Sequence, residues 1–292
     1  MGSSAAPRVA LATCAAQPSL YLEEGQVLPA LAELDVDARA VLWDDPAVDW
    51  SDFDAVVLRS TWDYFLRYGE FCAWLDRVEP LTRVHNAPSL VRWNADKRYL
   101  RDLERRGARI LPTVFCESAA ESDLAGILRE NGWDRAVIKP SVSGGAHRTA
   151  RVEAATAHEH EAELASLAAS CGALVQPFFP EIQTEGEWSF VFFDGAPSHT
   201  VIKVPVADDY RVQIQFGGTF TRVDADASLV AQARAFFDAL PERPAYARID
   251  CVRRGAELYL MEAELIEPYL YMSAAPGAID AYARLVAKLA RA

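Results

Sequence analysis

Lysine is scarce in this 292-residue chain. Lys97, Lys139, Lys203 and Lys288 are the only four among 29 Lys plus Arg. Against 42 Asp plus Glu the formal charge is −13 and the pI is near 4.9. A surface so acidic excludes nucleic acid as the main partner, because phosphate backbones are bound by net positive faces or basic stripes. Long apolar runs are missing too. The stretch around Val9–Leu11 is far shorter than a membrane-spanning helix or a signal-peptide core, and Met1 to Pro7 is small and polar and reads as a leader outside the fold. The five cysteines, Cys14, Cys72, Cys116, Cys171 and Cys251, are odd in number and scattered, with no CxxC pair. That pattern suits reduced thiols rather than a disulfide frame or a zinc site. A Gly-rich turn after the first strand is also absent: Thr13-Cys14-Ala15-Ala16 is not GxGxxG, which argues against a dinucleotide fold. With 51% hydrophobic and 24% charged residues, wholesale disorder is excluded. The expectation is a soluble, cytoplasmic α/β protein with no membrane or nucleic-acid partner.

Short apolar runs at Arg8–Thr13, Ala38–Trp43 and Ala55–Arg59 read as buried parallel strands. Leu22, Val27, Leu28, Leu31 and Leu34 recur at near-helical spacing. These lengths predict a small open sheet with helices on its faces, and ligands of such sheets bind beyond the carboxyl ends of the strands. Arg59-Ser60-Thr61-Trp62-Asp63-Tyr64 lies at such an end. It reads either as a subsite for a small polar ligand or as a helix cap, with Ser60 or Thr61 capping and Trp62 in the core. Residues 86–95 form a plausible domain boundary, followed by a helix that Asn94 or Asp96 caps.

Arginine is the default cation here, so a retained lysine marks places where a compact ammonium suits and a planar fork does not. Lys139 ends the run Ala136-Val137-Ile138 and precedes Pro140-Ser141-Val142-Ser143-Gly144-Gly145-Ala146. Such a loop either presents ammonium and backbone N–H groups to phosphates or is a mobile hairpin after an exposed lysine. Ala173–Pro180 is a strand running into a Pro-bounded segment, which either offers backbone C=O and N–H to a flat heterocycle beside Phe178 or Phe179 or, as local evidence favours, connects two domains. Lys288 reads as surface, and His158-Glu159-His160 as a solvated helix face, since i, i+2 imidazoles diverge on a helix. Tyr246–Val252 and Glu257–Leu265 form a hairpin about Arg253–Ala256. Glu262 and Glu264 share one strand face, with Asp250 on the partner strand within one or two register steps. Three such carboxylates either hold a hard cation, Mg²⁺ or Mn²⁺, or point to solvent.

Taken in order, Lys97, Lys139 with its loop, Gln176-Pro177-Phe178-Phe179, Glu187, Lys203, Asp250, Glu262 and Glu264 resemble the ATP-grasp superfamily over residues 86–270. The resemblance implies a small N-terminal parallel α/β domain, residues 1–93, and two ATP-grasp subdomains, 94–180 and 181–292. It further implies that Lys97, Lys139, Ser143, Gly144 and Gly145 meet ATP phosphates, that Gln176–Phe179 line the adenine site and that Glu187 lies near the ribose. Lys203 would lie near the transferred phosphate, and Asp250, Glu262 and Glu264 would hold Mg²⁺ or Mn²⁺. The family's third ligand is usually Asn, where this chain has Glu264. Asp209-Tyr210-Arg211-Val212-Gln213 with Gly217-Gly218 looks like the glutathione synthetase and RimK-type segment, which makes Arg211 and Lys203 catalytic candidates and places Gly217 and Gly218 near substrate. Arg59–Tyr64 and Arg92–Lys97 look similar to the cycloserine-biosynthesis ligases, which puts Ser60, Thr61, Trp62 and Asp63 in the substrate site. The implied chemistry is carboxylate–nitrogen ligation through an acyl phosphate, either ring closure of an O-ureidoserine-like amino acid or joining of an amino acid to an amine or peptide. The one macromolecular partner this leaves open is a second copy of the chain.

Overall fold

Three sheets organise the chain, and the computed structural model describes residues 5–206, 211–212 and 216–292 of it. The first sheet comprises β1 (Arg8–Thr13), β2 (Asp37–Leu42), β3 (Ala55–Ser60) and β4 (Arg83–His85), all parallel, in the order β2-β1-β3-β4. Every residue of β3 is buried, as expected where helices cover both faces and apolar runs replace alternation. The period of two still sorts its side chains. Ala55 and Val57 face a cluster with Leu31 and Val286, from helices α1 (Val27–Ala32) and α9 (Ala278–Arg291). Val56 and Leu58 face Phe71, Trp74 and Leu75 of α2 (Tyr68–Val78).

The expected helix over Leu22–Leu34 is shorter than its periodicity suggests. Leu22–Gln26 winds as a 3₁₀ turn and only Val27–Ala32 is α-helical. Glu23 and Glu24 are drawn inward, to Tyr269 and to Arg59 with Ser60, while Leu22 is left exposed. Buried polar contacts override helical propensity here.

The second sheet is antiparallel, in the order β5-β8-β6-β7, from β5 (Val114–Cys116), β6 (Arg135–Pro140), β7 (Ala150–Glu153) and β8 (Ala173–Pro177). Its apolar face packs on Leu124 and Leu128 of α5 (Leu124–Asn131) and on Leu164 and Leu167 of α6 (Glu161–Ser170). The third sheet is also antiparallel, in the order β11-β10-β9-β12-β13, with β9 (Glu187–Phe193), β10 (Ala196–Val204), β11 (Thr219–Val223), β12 (Tyr246–Arg254) and β13 (Glu257–Glu264). One face is covered by Leu229, Ala233, Phe236 and Phe237 of α8 (Ala227–Asp238). The hairpin turn is tighter than the sequence suggests: the strands run to Arg254 and restart at Glu257, and Gly255 takes the positive φ (62°) the turn needs. The described residues include no helix long and apolar enough to cross a membrane. All five thiols are free, three of them buried.

Helix α9 belongs to two sheets at once. Tyr282 and Val286 sit in the same cluster as Val9 and Leu11 of the first sheet and as Val191 and Phe193 of the third. Lys288 stays on its exposed side, bonded to Asp194. Two asparagines fasten the segment after β4 to the hairpin. Asn86 donates to Tyr246 O and Leu265 O (2.9 and 2.7 Å) and accepts from Ala245 N (2.6 Å). Asn94 donates to Ala263 O (2.7 Å) and accepts from Leu265 N (2.9 Å). Asn94 lies inside α3 (Pro88–Ala95) and is a cross-link; of the two caps expected, Asp96 is the one whose carboxylate accepts a backbone N–H ahead of the next helix, from Arg98 (2.9 Å).

Beneath this junction the Arg59 guanidinium donates to Glu24 and to Pro268 O (2.8 Å) and lies over the rings of Tyr246 and Tyr282 at 5.4 and 5.2 Å. Both charged partners are 1% exposed. Removing one member strands the other without water. Glu24→Ala should therefore cost about 3–5 kcal/mol of stability, and an Arg59→Met/Glu24→Leu double variant should regain most of it. Urea denaturation of both variants checks the pair.

Candidate active site

A cavity of about 490 Å³ opens where the three sheets meet. At one end Leu111, Val137, Phe179, Ile182 and Met261 make an apolar slot, with Phe178 at its rim beneath the guanidinium of Arg135 (4.9 Å). The slot forms where β8 ends at Pro177. Pro180, in the helical region (φ −63°, ψ −18°), turns the chain into the short helix Glu181–Thr184, which brings Ile182 to the slot. Gln176, on β8, donates to Thr113 Oγ1 (2.9 Å).

The middle of the cavity is ionic. The Lys139 ammonium, at the end of β6, donates to Glu262 (2.9 Å), and Lys97 donates to Ser143 O (2.8 Å) with Glu262 at 3.8 Å. Lys203, on β10, bonds Glu187 and Asp250 (3.2 Å to the latter). Arg248 forks onto both oxygens of Asp250 and reaches Glu264, and Ser189 Oγ donates to Asp250 (2.5 Å). Strand pairing accounts for the grouping: Asp250 lies opposite Glu262 and Ser189, and Arg248 opposite Glu264.

Burial and partner charges pull these groups apart in pKa. Burial pushes Glu187 up to about 7 although Lys203 opposes it. Burial also opposes the charged form of Glu262, yet Lys139 and Lys97 bring it down to about 2. Asp250, similarly buried, is held well below the ordinary carboxylate range by Arg248 and Lys203. Glu264 is raised, by burial first, against the pull of Arg248. Among the described residues no three His, Cys, Asp or Glu side chains converge closely enough to hold a metal ion. Asp250, Glu262 and Glu264 have the hard oxygen chemistry of a Mg²⁺ or Mn²⁺ site, and in this conformation side-chain cations engage all three.

The loop after β6 closes over this middle. Lys97 N donates to Ser141 O (2.7 Å), and a Cβ at Gly144 would stand 2.9 Å from the Phe65 ring. Glycine is what allows the loop to approach the first sheet so closely. The far end of the cavity is lined by Tyr21, Trp62, Tyr64, Tyr269 and Tyr271 with Glu267.

Lys97, Lys139, Ser143, Gly144, Gly145, Gln176, Pro177, Phe178, Phe179, Glu187, Lys203, Arg211, Asp250, Glu262 and Glu264 all line this one cavity, as does Trp62. Arg211 sits over the Phe216 ring at 3.9 Å. The rest of the 60–63 segment does not reach it. Ser60 is buried and donates to Glu24 (2.7 Å), and Thr61 is buried beside it. Asp63 accepts from Trp43 and Arg67 (both 2.8 Å). Gly217 and Gly218 are not among the lining residues, and Asp209, Tyr210 and Gln213 lie outside the described residues. Arg248, Tyr269 and Glu267 are sequence-silent members of the site. Arg248 could have been found from its place two residues before Asp250, on the same strand face. The other two follow the hairpin in a stretch without periodicity. A broader open groove of about 880 Å³, along residues 79–88 and 243–245, holds none of the residues singled out in the sequence.

Residues 9–86 match the model of the D-cycloserine synthetase DcsG N-terminal domain. The chain is 33% identical over 286 residues to the cycloserine biosynthesis protein DcsG of Streptomyces lavendulae, an alignment covering 91% of this chain and 93% of that one. Among solved structures, D-cycloserine synthetase DcsG superposes with a TM-score of 0.88 at 28% identity, over 97% of this chain and 99% of the other. A RimK domain ATP-grasp protein from Sphaerobacter thermophilus gives a TM-score of 0.71 at 20% identity, over 97% and 99% of the two chains; at that identity it speaks for the fold. The open parallel sheet and the two antiparallel sheets are thus those of the ATP-grasp fold, and the chain belongs to the family of the cycloserine biosynthesis protein DcsG.

Proposed function

We propose that the chain is an ADP-forming cyclo-ligase of cycloserine biosynthesis, which activates the carboxylate of an O-ureidoserine-like amino acid and closes it onto a nitrogen of the same molecule. The observation that carries the reading is one cavity with three compartments in line: an apolar slot, a row of lysines and arginine, and an aromatic chamber. They fit, in order, a purine, a triphosphate and a small organic acid. The relationship to DcsG supplies the choice of acid.

Leu111, Val137, Phe179 and Met261 sandwich the base, Gln176 and the backbone beside it meet its edge, and Glu187 takes the ribose. Lys97, Lys139 and the N–H groups of the Ser143–Gly145 loop hold the phosphates. Lys203 and Arg211 neutralise the phosphoryl group as it moves, and Arg248 holds the acceptor carboxylate. A carboxylate oxygen attacks the γ-phosphorus and ADP leaves. The ureido nitrogen then attacks the acyl carbon, phosphate departs, and the nitrogen loses a proton. Mg²⁺ or Mn²⁺, held by Asp250, Glu262 and Glu264, supplies charge neutralisation on the phosphates when bound. Lys139 and Lys97, now spent on Glu262, are released to the incoming phosphates, and the carboxylate is released with them. All these residues come from one chain, so the reading holds for a monomer or a homodimer.

The purified protein should release ADP with ATP, Mg²⁺ and O-ureidoserine alone. No activity without an added amine would sink the cyclisation and favour joining of two molecules. Chelation by EDTA should abolish the reaction, and Mn²⁺ should restore it. Glu262→Gln should lower kcat by about 10²-fold or more in the coupled ADP assay, the scale of losing one preorganised electrostatic group at a phosphoryl-transfer site. Arg248→Lys, which keeps the charge and loses the fork, should cost about 10–10²-fold in kcat/KM for the acid and leave nucleotide affinity within about twofold.

A further inference from the structure

The chamber beyond Arg248 has a composition the reaction so far leaves unused. Tyr21 stands edge-on to Trp62 (4.6 Å between centroids, 62°) and to Tyr269 (5.6 Å, 75°), and Tyr269 stands edge-on to Tyr271 (4.8 Å, 81°). Rings set at steep angles present faces from several directions to the space between them, which is the arrangement that attracts a cation. Into the same chamber comes the half-buried Glu267, whose carboxylate receives no hydrogen bond or ion pair among the described residues. Its position is fixed all the same, because Trp62 Nε1 donates to the Glu267 carbonyl (3.1 Å). The other carboxylates that line the cavity, Glu187, Asp250, Glu262 and Glu264, each have a cation in contact.

We propose that Glu267, with the rings of Tyr21, Trp62 and Tyr269, is the subsite for the α-ammonium of the amino-acid substrate and so the device that selects amino acids over other carboxylic acids. The inference rests on the ligase reading above and deepens it. An anion is disfavoured there by Glu267 and by Glu23 behind Tyr269, and a wholly apolar group would leave Glu267 unpaired. An ammonium satisfies both the carboxylate and the ring faces. The spacing also suits an α-amino acid. Arg248, which holds the carboxylate end, donates to Tyr269 O (2.9 Å) and lies over Tyr271 (5.5 Å). The cation for one end of a zwitterion and the anion for the other therefore flank a single short stretch, Glu267–Tyr271. Burial, with Glu264 adding to it, pushes Glu267 up to about 8 against the more distant pull of Arg248 and Arg59.

Calorimetric binding to the nucleotide-loaded protein decides the subsite, with two probes: O-ureidoserine and the same acid carrying hydrogen in place of its amine. Wild type should bind the amino acid about 10–100-fold more tightly than the amine-free acid, the range of a charge-assisted contact in a partly dry site. Glu267→Gln should erase that preference by weakening the amino acid alone, with nucleotide affinity unchanged as the check on folding. Tyr21→Leu should erode the preference and Tyr21→Phe should retain it. Equal loss of both probes in Glu267→Gln, or no loss, overturns the subsite, as does a wild type that binds the two acids alike. ADP release is read on the same samples. A protein that binds the amino acid through Glu267 but releases no ADP overturns the ligase reading alone. One that releases ADP equally well with the amine-free acid overturns the subsite alone.

Discussion

Compensation of a group of buried cations is the constraint on which the rest depends. Lys97, Lys139, Lys203 and Arg248 converge from β6, β10, β12 and the turn after α3, and such a group of cations could not be buried without partners. Glu187, Asp250, Glu262 and Glu264 supply them. The four cations are thereby held together, each with a carboxylate in contact. Under the proposed function binding would be an exchange, phosphate oxygens replacing carboxylate oxygens around the lysines. Much of the desolvation cost of gathering the cations would then be met during folding rather than at each binding event.

The strand pairing of the third sheet makes this balance possible. Placing Asp250 opposite Glu262 would be destabilising in an ordinary hairpin, where like charges face one another. Here Arg248 and Lys203 enter from two directions, and Ser189 on β9 occupies a remaining lone pair. The asparagine cross-links and the Arg59–Glu24 pair then hold the first sheet against the hairpin. Tyr21, Trp62, Tyr64 and Phe65 thus reach a cavity that is otherwise lined mainly from the other two sheets.

Much of this was readable in advance where chemistry and periodicity coincide. The parallel strands were legible as uninterrupted apolar runs, the hairpin as two alternating segments about a glycine, and the lysines by their rarity. The Gln176–Phe179 segment reads locally as a mere connector; only its place in an ordered set of motifs points to a binding slot. Side chains whose role depends on long-range contacts were not legible. Ser60, Thr61 and Asp63 have the right chemistry for a substrate site, but two are buried and the third is committed to Trp43 and Arg67. Tyr21 and Glu267 are 246 positions apart, and nothing local announces that they share a chamber. The helix over Leu22–Leu34 misled for the same reason, because contacts with Tyr269 and Arg59 outweigh its intrinsic preference.

The double packing of α9 has a consequence for how the molecule is made. One face of the first sheet is finished only when residues 278–290 arrive, so a chain emerging in order carries Val9, Leu11, Ala55 and Val57 partly uncovered throughout synthesis of the other two sheets. Domains that can close early are ordinarily completed in turn during synthesis. Here the face of the first sheet that α9 covers can close only once residues 278–290 have been made.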